Sequence, residues 1–408
     1  MILLSHPTGN ANVRALLEWF DRRGCLDSFH TTLAVRGDEW YVRSLPLSLR
    51  DQVRRRAYAV PKEKIRTAPC KELVRLAATR WGWDRLTAHE TGWACVDEVY
   101  ADLDRRVAER IRRGSAESVY CYEGGALRTF RAAKELGLRR VYELPTPHWR
   151  TAQRLLREEA LRLPRWAETL QILRDSPEKL ERQDQEIALA DLVVCPSRFV
   201  SDSLADAGRP APPLVVAGYG CPPACENPLP PRAHGAPLRV LFAGALIQRK
   251  GLADVFSAMK LLKTKSAELV VMGQPAMPLS FYREFCDFTF EPPRPHRRVL
   301  ELMRTCDVLL LPSLVEGWGL VLGEALSQGL PLIVTPNTGG KDLVEEGETG
   351  FVVPIRSPER IAEKLAWLCE NRRKIPAMSE RALAAAAAHT WDRYCGAVST
   401  AMRAAGGR

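Results

Sequence analysis

Two carboxylates, Glu316 and Glu324, stand eight positions apart in the stretch SLVEGWGLVLGEALSQGLP, with a Gly-Trp-Gly step after the first. Eight residues of helix rise roughly 12 Å, the span of a ligand with a sugar at one end, a ribose at the other and phosphates between. Gly317 and Gly319 would let the chain come close to such a ligand, and the free N–H groups of the first helical turn favour an anion. Taken singly, each acid reads equally well as a helix cap or a surface residue. A second constellation, FAGALIQRKGL, ends a strand at Gly244 and sets Arg249 and Lys250 just before Gly251 and the next helical run. Cations beside helix-start amides suit a phosphate, although a strand end with Arg-Lys-Gly is also a common solvated turn.

These residues need elements to hold them. CDVLLLPS runs out as a buried strand ahead of Glu316, and LVLGEALSQG reads as a helix stopped by Gly329. LRVLFAGAL, AELVVMGQ and LPLIVTPN are strand-like, with helix-like runs at 251–263, 294–305, 319–328 and 340–346. The first half shows the same alternation: ILLSHP, a turn at Gly9-Asn10 and an amphipathic run, then strand-like SVYCYE, RRVYELP, DLVVCPS and PLVVAGYG. Strands alternating with helices imply a parallel sheet covered on both faces, with ligands beyond the carboxyl ends of the strands. The expected fold class is therefore α/β. Two doubly wound, Rossmann-like domains at 1–225 and 238–388 face a cleft, joined by a linker at 226–237 that holds four prolines. The tail from 389 to 408 begins with Thr390 as a plausible N-cap and reads as a closing helix, expected to cross back to the first domain.

The 408 residues suffice for two full cores. No apolar run approaches a membrane span. MILLSHPTGN reads as strand and turn rather than leader, so a cytosolic chain is expected. The eleven cysteines are odd in number and scattered through apolar runs, which fits reduced thiols; Cys221 and Cys225 lack the further ligands that zinc spacing requires. A net charge of +10 favours acidic partners: nucleotide phosphates, an anionic membrane or nucleic acid. The densest basic stretch, Arg54 to Arg80, with Tyr58 inside it and Trp81 and Trp83 beyond, reads as a solvated helical face or as a peripheral membrane patch at the inner face. Neither GxGxxG nor GxxxxGK[ST] occurs at the strand ends, which argues against a dinucleotide oxidoreductase and a P-loop nucleotidase.

PSLVEGWGLVLGEALSQGLPLIVTPNTGG followed by EGETGFVVP resembles the donor-site signature of retaining glycosyltransferases of the GT-B fold, family 4. GALIQRKG, ADLVVCPSRFV, GYG and Gly9 fall in the order that family shows. The resemblance implies retaining transfer from a nucleotide-diphosphate sugar to an acceptor hydroxyl, in which the leaving phosphate oxygen takes the acceptor's proton. On the residues that match, it implies that Glu316 and the Gly317, Trp318, Gly319 and Leu320 backbone contact donor sugar and phosphates. Glu324 would hold the ribose, and Lys250, with Gly9 and Gly244 nearby, the diphosphate. Where most relatives carry an arginine after the phosphate-loop glycine this chain has Ala245, so Arg249 is expected to share the role. A first-domain histidine often meets the donor in relatives; His148 is preferred over His6, and Glu123 with Gly124 and Gly125 is a further cleft candidate. No DxD motif stands in the right setting, so no metal and no cofactor are expected. The expected partners are the nucleotide sugar and a carbohydrate, lipid-linked or small-molecule acceptor, in bacterial polysaccharide, glycoconjugate or glycolipid synthesis, without nucleic acid. A sugar-nucleotide epimerase or hydrolase and a two-lobed sugar-binding protein are the competing readings.

Overall fold

The computed structural model describes all residues except 36–55, 209, 211, 231–234, 263–265, 406–408 and the side chain of Ile172. Arg54 and Arg55 of the basic stretch, and the centre of the linker, lie outside the described residues. The first domain holds seven parallel strands: β1 (Ile2–Ser5), β2 (Leu26–Thr31), β3 (Ile65–Thr67), β4 (Ser118–Tyr122), β5 (Arg139–Glu143), β6 (Leu192–Cys195) and β7 (Leu214–Val216). They are ordered β3-β2-β1-β4-β5-β6-β7. The second domain holds β8 (Leu238–Ala243), β9 (Ala267–Met272), β10 (Thr289–Glu291), β11 (Val308–Leu311), β12 (Leu332–Val334) and β13 (Gly350–Val352), ordered β10-β9-β8-β11-β12-β13 and likewise parallel.

The reason is in the side chains. Val308 to Leu311 are wholly buried, as are Val240 to Phe242 and Leu332 to Val334, and continuous apolar strands of this kind are covered by helices on both faces. In each sheet the strand order reverses at one place, between β1 and β4 and between β8 and β11. A crevice opens outside the carboxyl ends of strands at such a reversal. Gly9 follows β1, Gly244 follows β8 and the Glu316 loop follows β11, so each lies at a reversal.

Two segments tie the domains together. The helix Trp391–Ala404, capped by the Thr390 hydroxyl accepting from Arg393 N at 3.1 Å, returns to the first domain. There Ser399 Oγ accepts from Trp19 Nε1 at 2.7 Å and Tyr394 donates to Glu143 at 2.9 Å. In the other direction, the helix Trp149–Arg162 and the 3₁₀ turns after it reach over the second domain. Trp166, 1% exposed, packs among Phe256, Phe281, Tyr282 and Phe285. The alternation of strands and helices in the first half does not disclose that this segment buries its end in the other domain.

Candidate functional site

The site starts from a turn. After β8, Ile247 leads into a single 3₁₀ turn, Gln248–Lys250, closed by Gly251 in the left-handed region at φ +75°. A Cβ on Gly251 would fall 2.1 Å from Pro312 O, so only glycine lets this turn lie against the end of β11. The close approach brings the two loops into register: Leu314 N donates to Arg249 O at 2.9 Å, and Arg249 NH1 donates to Val315 O at 2.8 Å. Lys250 Nζ then pairs with Glu316 Oε2, which Arg249 NH1 also approaches at 3.3 Å. All three side chains are largely but not wholly covered, at 29% exposure for Arg249, 13% for Lys250 and 15% for Glu316.

Burial works against the charge on Glu316, yet Lys250 and Arg249 outweigh it and hold the carboxyl below the usual range. At neutral pH the group is an ionised acceptor beside two cations, with net charge of one positive unit. Such a cluster can receive sugar hydroxyls on the carboxylate and a phosphate on the cations. Glu324 lies on the helix Leu320–Ser327, whose N-cap Gly319 is left-handed at φ +82°. Its carboxylate, 21% exposed, faces His296 Nε2 at 3.1 Å, and Leu320 at the helix start is 39% exposed. The sequence thus brings Arg249, Lys250, Glu316, Gly319, Leu320 and Glu324 to one rim of the second domain.

Three of the expected site residues are engaged by the protein itself. His148 is 1% exposed and caps the helix Trp149–Arg162. Its Nδ1 accepts from Arg150 N at 3.3 Å, so Nε2 carries the proton and donates to Asp184 Oδ1 at 3.0 Å. Desolvation lowers its pKa, and both nitrogens of the neutral ring are engaged within the first domain. Trp318 is 3% exposed; a Cβ on Gly218 or Gly339 would sit 2.6 or 2.3 Å from its ring, so the indole is a wedge between the domains and any donor contact at this position falls to the backbone. Gly317 is needed for the approach of the first domain: a Cβ there would fall 1.7 Å from Pro145 O, and Gly317 O accepts from Ser197 Oγ at 2.6 Å.

On the first domain, Gly9 turns at φ +62° against the Tyr58 ring. His6 holds that turn, its Nδ1 accepting from Thr8 N at 3.0 Å and Gly9 N at 2.9 Å. Burial, then Arg56, push its pKa down to about 3, so the ring is neutral with the proton on Nε2. His6 therefore sits in the crevice after β1, whereas His148 lies beyond β5. Gly244 lies beside Lys250, whose Cε would be 3.9 Å from a Cβ built on it.

No pattern in the sequence signals the buried inter-domain network directly behind the Arg249–Lys250 turn. Gln248, fully buried, donates from Nε2 to Glu159 Oε1 at 2.6 Å and to Asp254 Oδ2 at 3.2 Å, and accepts from Ala253 N at 2.8 Å. Arg162 bridges Glu159 and Asp254, and Arg356 donates to Glu159 Oε2 at 2.9 Å. Arg-Glu and Gln-Glu contacts over such separations leave no local pattern to read.

All eleven cysteines are free thiols. Among the described residues no helix is long and apolar enough to cross a membrane. Trp81, Trp83 and Trp93 are 64%, 52% and 54% exposed at the end of the basic stretch.

Residues 231–385 match the family model described as glycosyl transferases group 1. The second domain is similar to that family along nearly its whole length. A D-inositol 3-phosphate glycosyltransferase of Corynebacterium glutamicum is 30% identical over 177 residues, 39% of this chain and 42% of that protein. The chain thus spans less than half the length of this curated relative. Among solved structures, sucrose-phosphate synthase from Thermosynechococcus elongatus superposes with a TM-score of 0.67 at 15% identity, over 98% of each chain. Anabaena HepE in complex with UDP-glucose superposes with a TM-score of 0.59 at 16% identity, over 99% of each. These likenesses give the group 1 domain, together with the first, the GT-B arrangement of two facing α/β domains.

Proposed function

We propose that the protein is a retaining glycosyltransferase of family 4 that moves a sugar from a nucleoside diphosphate to an acceptor hydroxyl, in bacterial polysaccharide, glycoconjugate or glycolipid synthesis. The observation that carries this reading is the Glu316–Lys250–Arg249 cluster, set where β8 and β11 part in a group 1 domain. Cleavage of the anomeric bond develops positive charge on the sugar and negative charge on the departing phosphate. Preorganised cations stabilise the latter, and Glu316 orients the former through its hydroxyls. The leaving phosphate oxygen takes the acceptor's proton, so no protein nucleophile is required. Arg249 shares the diphosphate with Lys250 where Ala245 offers no charge; turnover in Arg249→Ala close to wild type would refute that share. The reaction runs without metal, and activity lost to a chelator and restored by magnesium would refute that.

Thermal shifts with UDP, GDP, ADP and TDP test the donor side, since a ligand that binds only the folded state raises its stability. Nucleoside diphosphate release that depends on added acceptor then distinguishes a transferase from a hydrolase or a binding protein. The reading extends to peripheral docking on an anionic membrane through the described part of the basic stretch, Arg56 to Arg80, with Trp81 and Trp83 entering the interface. Co-sedimentation with phosphatidylglycerol vesicles but not with phosphatidylcholine vesicles is the expected result.

A further inference from the structure

A cavity of about 510 Å³ lies wholly within the first domain, beyond the ends of β4 and β5. Its volume falls in the range of small-molecule sites. One wall is the loop that touches the donor-side domain: Thr146, which lines the cavity, has its Cα 3.4 Å from a Cβ built on Gly317, the residue after Glu316. The Thr146 backbone therefore stands between a molecule in this cavity and the loop that carries the Glu316 carboxylate.

The lining is matched to hydroxyl groups, each of which both donates and accepts. Glu123 accepts from Thr146 Oγ1 at 2.6 Å and from Gln183 Nε2 at 3.3 Å. Burial pushes the Glu123 carboxyl up to about 7, so near neutral pH it can act as donor or acceptor. Gln183 Oε1 is buried with no hydrogen-bond partner, and the Gln153 amide also lines the wall. Of the two cations there, Lys179 is engaged by Asp175 at 2.9 Å and Asp97 at 3.4 Å. Arg174, exposed at the rim, has no ion-pair or hydrogen-bond partner among the described residues. A guanidinium with its fork free is suited to a carboxylate or phosphate.

We infer that this cavity is the acceptor subsite and that it takes a sugar bearing an acidic group, with Arg174 on the acid and Glu123, Gln153 and Gln183 on the hydroxyls. The inference rests on the transferase reading above, to which it adds the acceptor's chemical class.

The test is calorimetric titration of the full chain with glucuronate, glucose 6-phosphate and glucose, with and without the nucleoside diphosphate found by thermal shift. Both acidic sugars should bind at least ten-fold more tightly than glucose. Arg174→Ala should bring them to the level of glucose, and Glu123→Ala should weaken all three. Binding of glucose equal to that of the acidic sugars, unchanged binding in Arg174→Ala, or no binding of any of the three overturns the inference. The nucleotide shift is a separate readout that Arg174 does not enter. Its absence in the wild type would sink the transferase reading, whereas its presence beside a failed sugar titration would sink only the acceptor assignment.

Discussion

Both domains carry carboxylates near strand ends, but those carboxylates are saturated to very different degrees. In the first domain Glu143, wholly buried at the end of β5, receives Asn12 Nδ2 at 2.6 Å, Tyr120 at 2.6 Å, Tyr219 at 2.7 Å and Tyr394 at 2.9 Å. Glu186 is likewise buried and accepts from the backbone at Gly124, Ala126 and Leu127 and from Tyr142. In the second domain Glu316 meets two cations and keeps part of its surface open, and Glu324 meets one exposed imidazole. A carboxylate with four donors around it has no capacity left for a ligand. One that is partly covered and paired with cations is polarised and still available. Residue type alone does not separate the two; the number of partners and the remaining exposure do.

The contrast is broken most severely at Glu143. Removing it in Glu143→Ala takes the shared acceptor from three buried tyrosine hydroxyls and leaves the Asn12 amide only Tyr219 at 3.3 Å, at about 1–3 kcal/mol for each buried group left unsatisfied. The expected outcome is a protein that unfolds many degrees below wild type by circular dichroism, or does not fold, with Glu143→Gln intermediate. Stability within a degree or two of wild type in Glu143→Ala would remove the distinction between a structural and a functional carboxylate.

Glu316→Ala should act the other way. The fold should persist, because the site is at a rim, whereas transfer should fall about a hundred-fold or more, the scale of losing one preorganised polar contact to the reacting group. Donor binding by calorimetry should change far less than turnover. Glu324→Ala should show the reverse split: the nucleotide binds about ten-fold more weakly, about 1.4 kcal/mol, while turnover at saturating donor stays near wild type. Equal effects on binding and turnover in the two variants would leave the two-ended reading of Glu316 and Glu324 without support.

The second domain was more legible than the first for a physical reason. Its strands β11 and β12 are short unbroken apolar runs with the charged residues in the turns beyond them, so strand ends and site residues are visible together there. Val308–Leu311 and the Glu316 loop are an example. In the first domain β2 reads LDSFHT, a mixture of polar and apolar residues with no period, yet Ser28, His30 and Thr31 are all buried in the sheet. Nothing local marks that strand. His148 looked like a cleft residue because it follows a strand, but Asp184, thirty-six positions away, is what fixes its ring. Gly317 reads as a ligand contact because glycine permits close approach, and the Trp318 backbone because the family resemblance implies it. The close approach is real, but it is made by Pro145 and Gly218 of the first domain. Contacts between domains were the part that spacing could not disclose, and the Gln248–Glu159–Asp254 network is the largest example.

Glu123 lies between the two kinds of carboxylate, lining a cavity but half-buried, and its titration can place it. Desolvation raises its pKa from 4.5 to about 7, with Glu186 and Asp175 adding to the rise and Thr146 and Lys179 opposing it. Below pH 4.5 the group is neutral in both folded and unfolded chains and imposes no penalty. Between 4.5 and about 7 the unfolded chain releases the proton while the folded one keeps it, so stability falls as pH rises, and above 7 the loss is complete. Glu123→Gln has no proton to lose, so its melting temperature should decline less than that of wild type across that window. The advantage of wild type over the variant should be greatest in acid and shrink toward neutrality. Glu186, pushed up to about 7 by its own burial, titrates in the same window and is coupled to Glu123, so the difference between the two curves reports the titration of the pair. Parallel curves would mean that Glu123 is already ionised in the folded chain and belongs with the open carboxylates of the second domain.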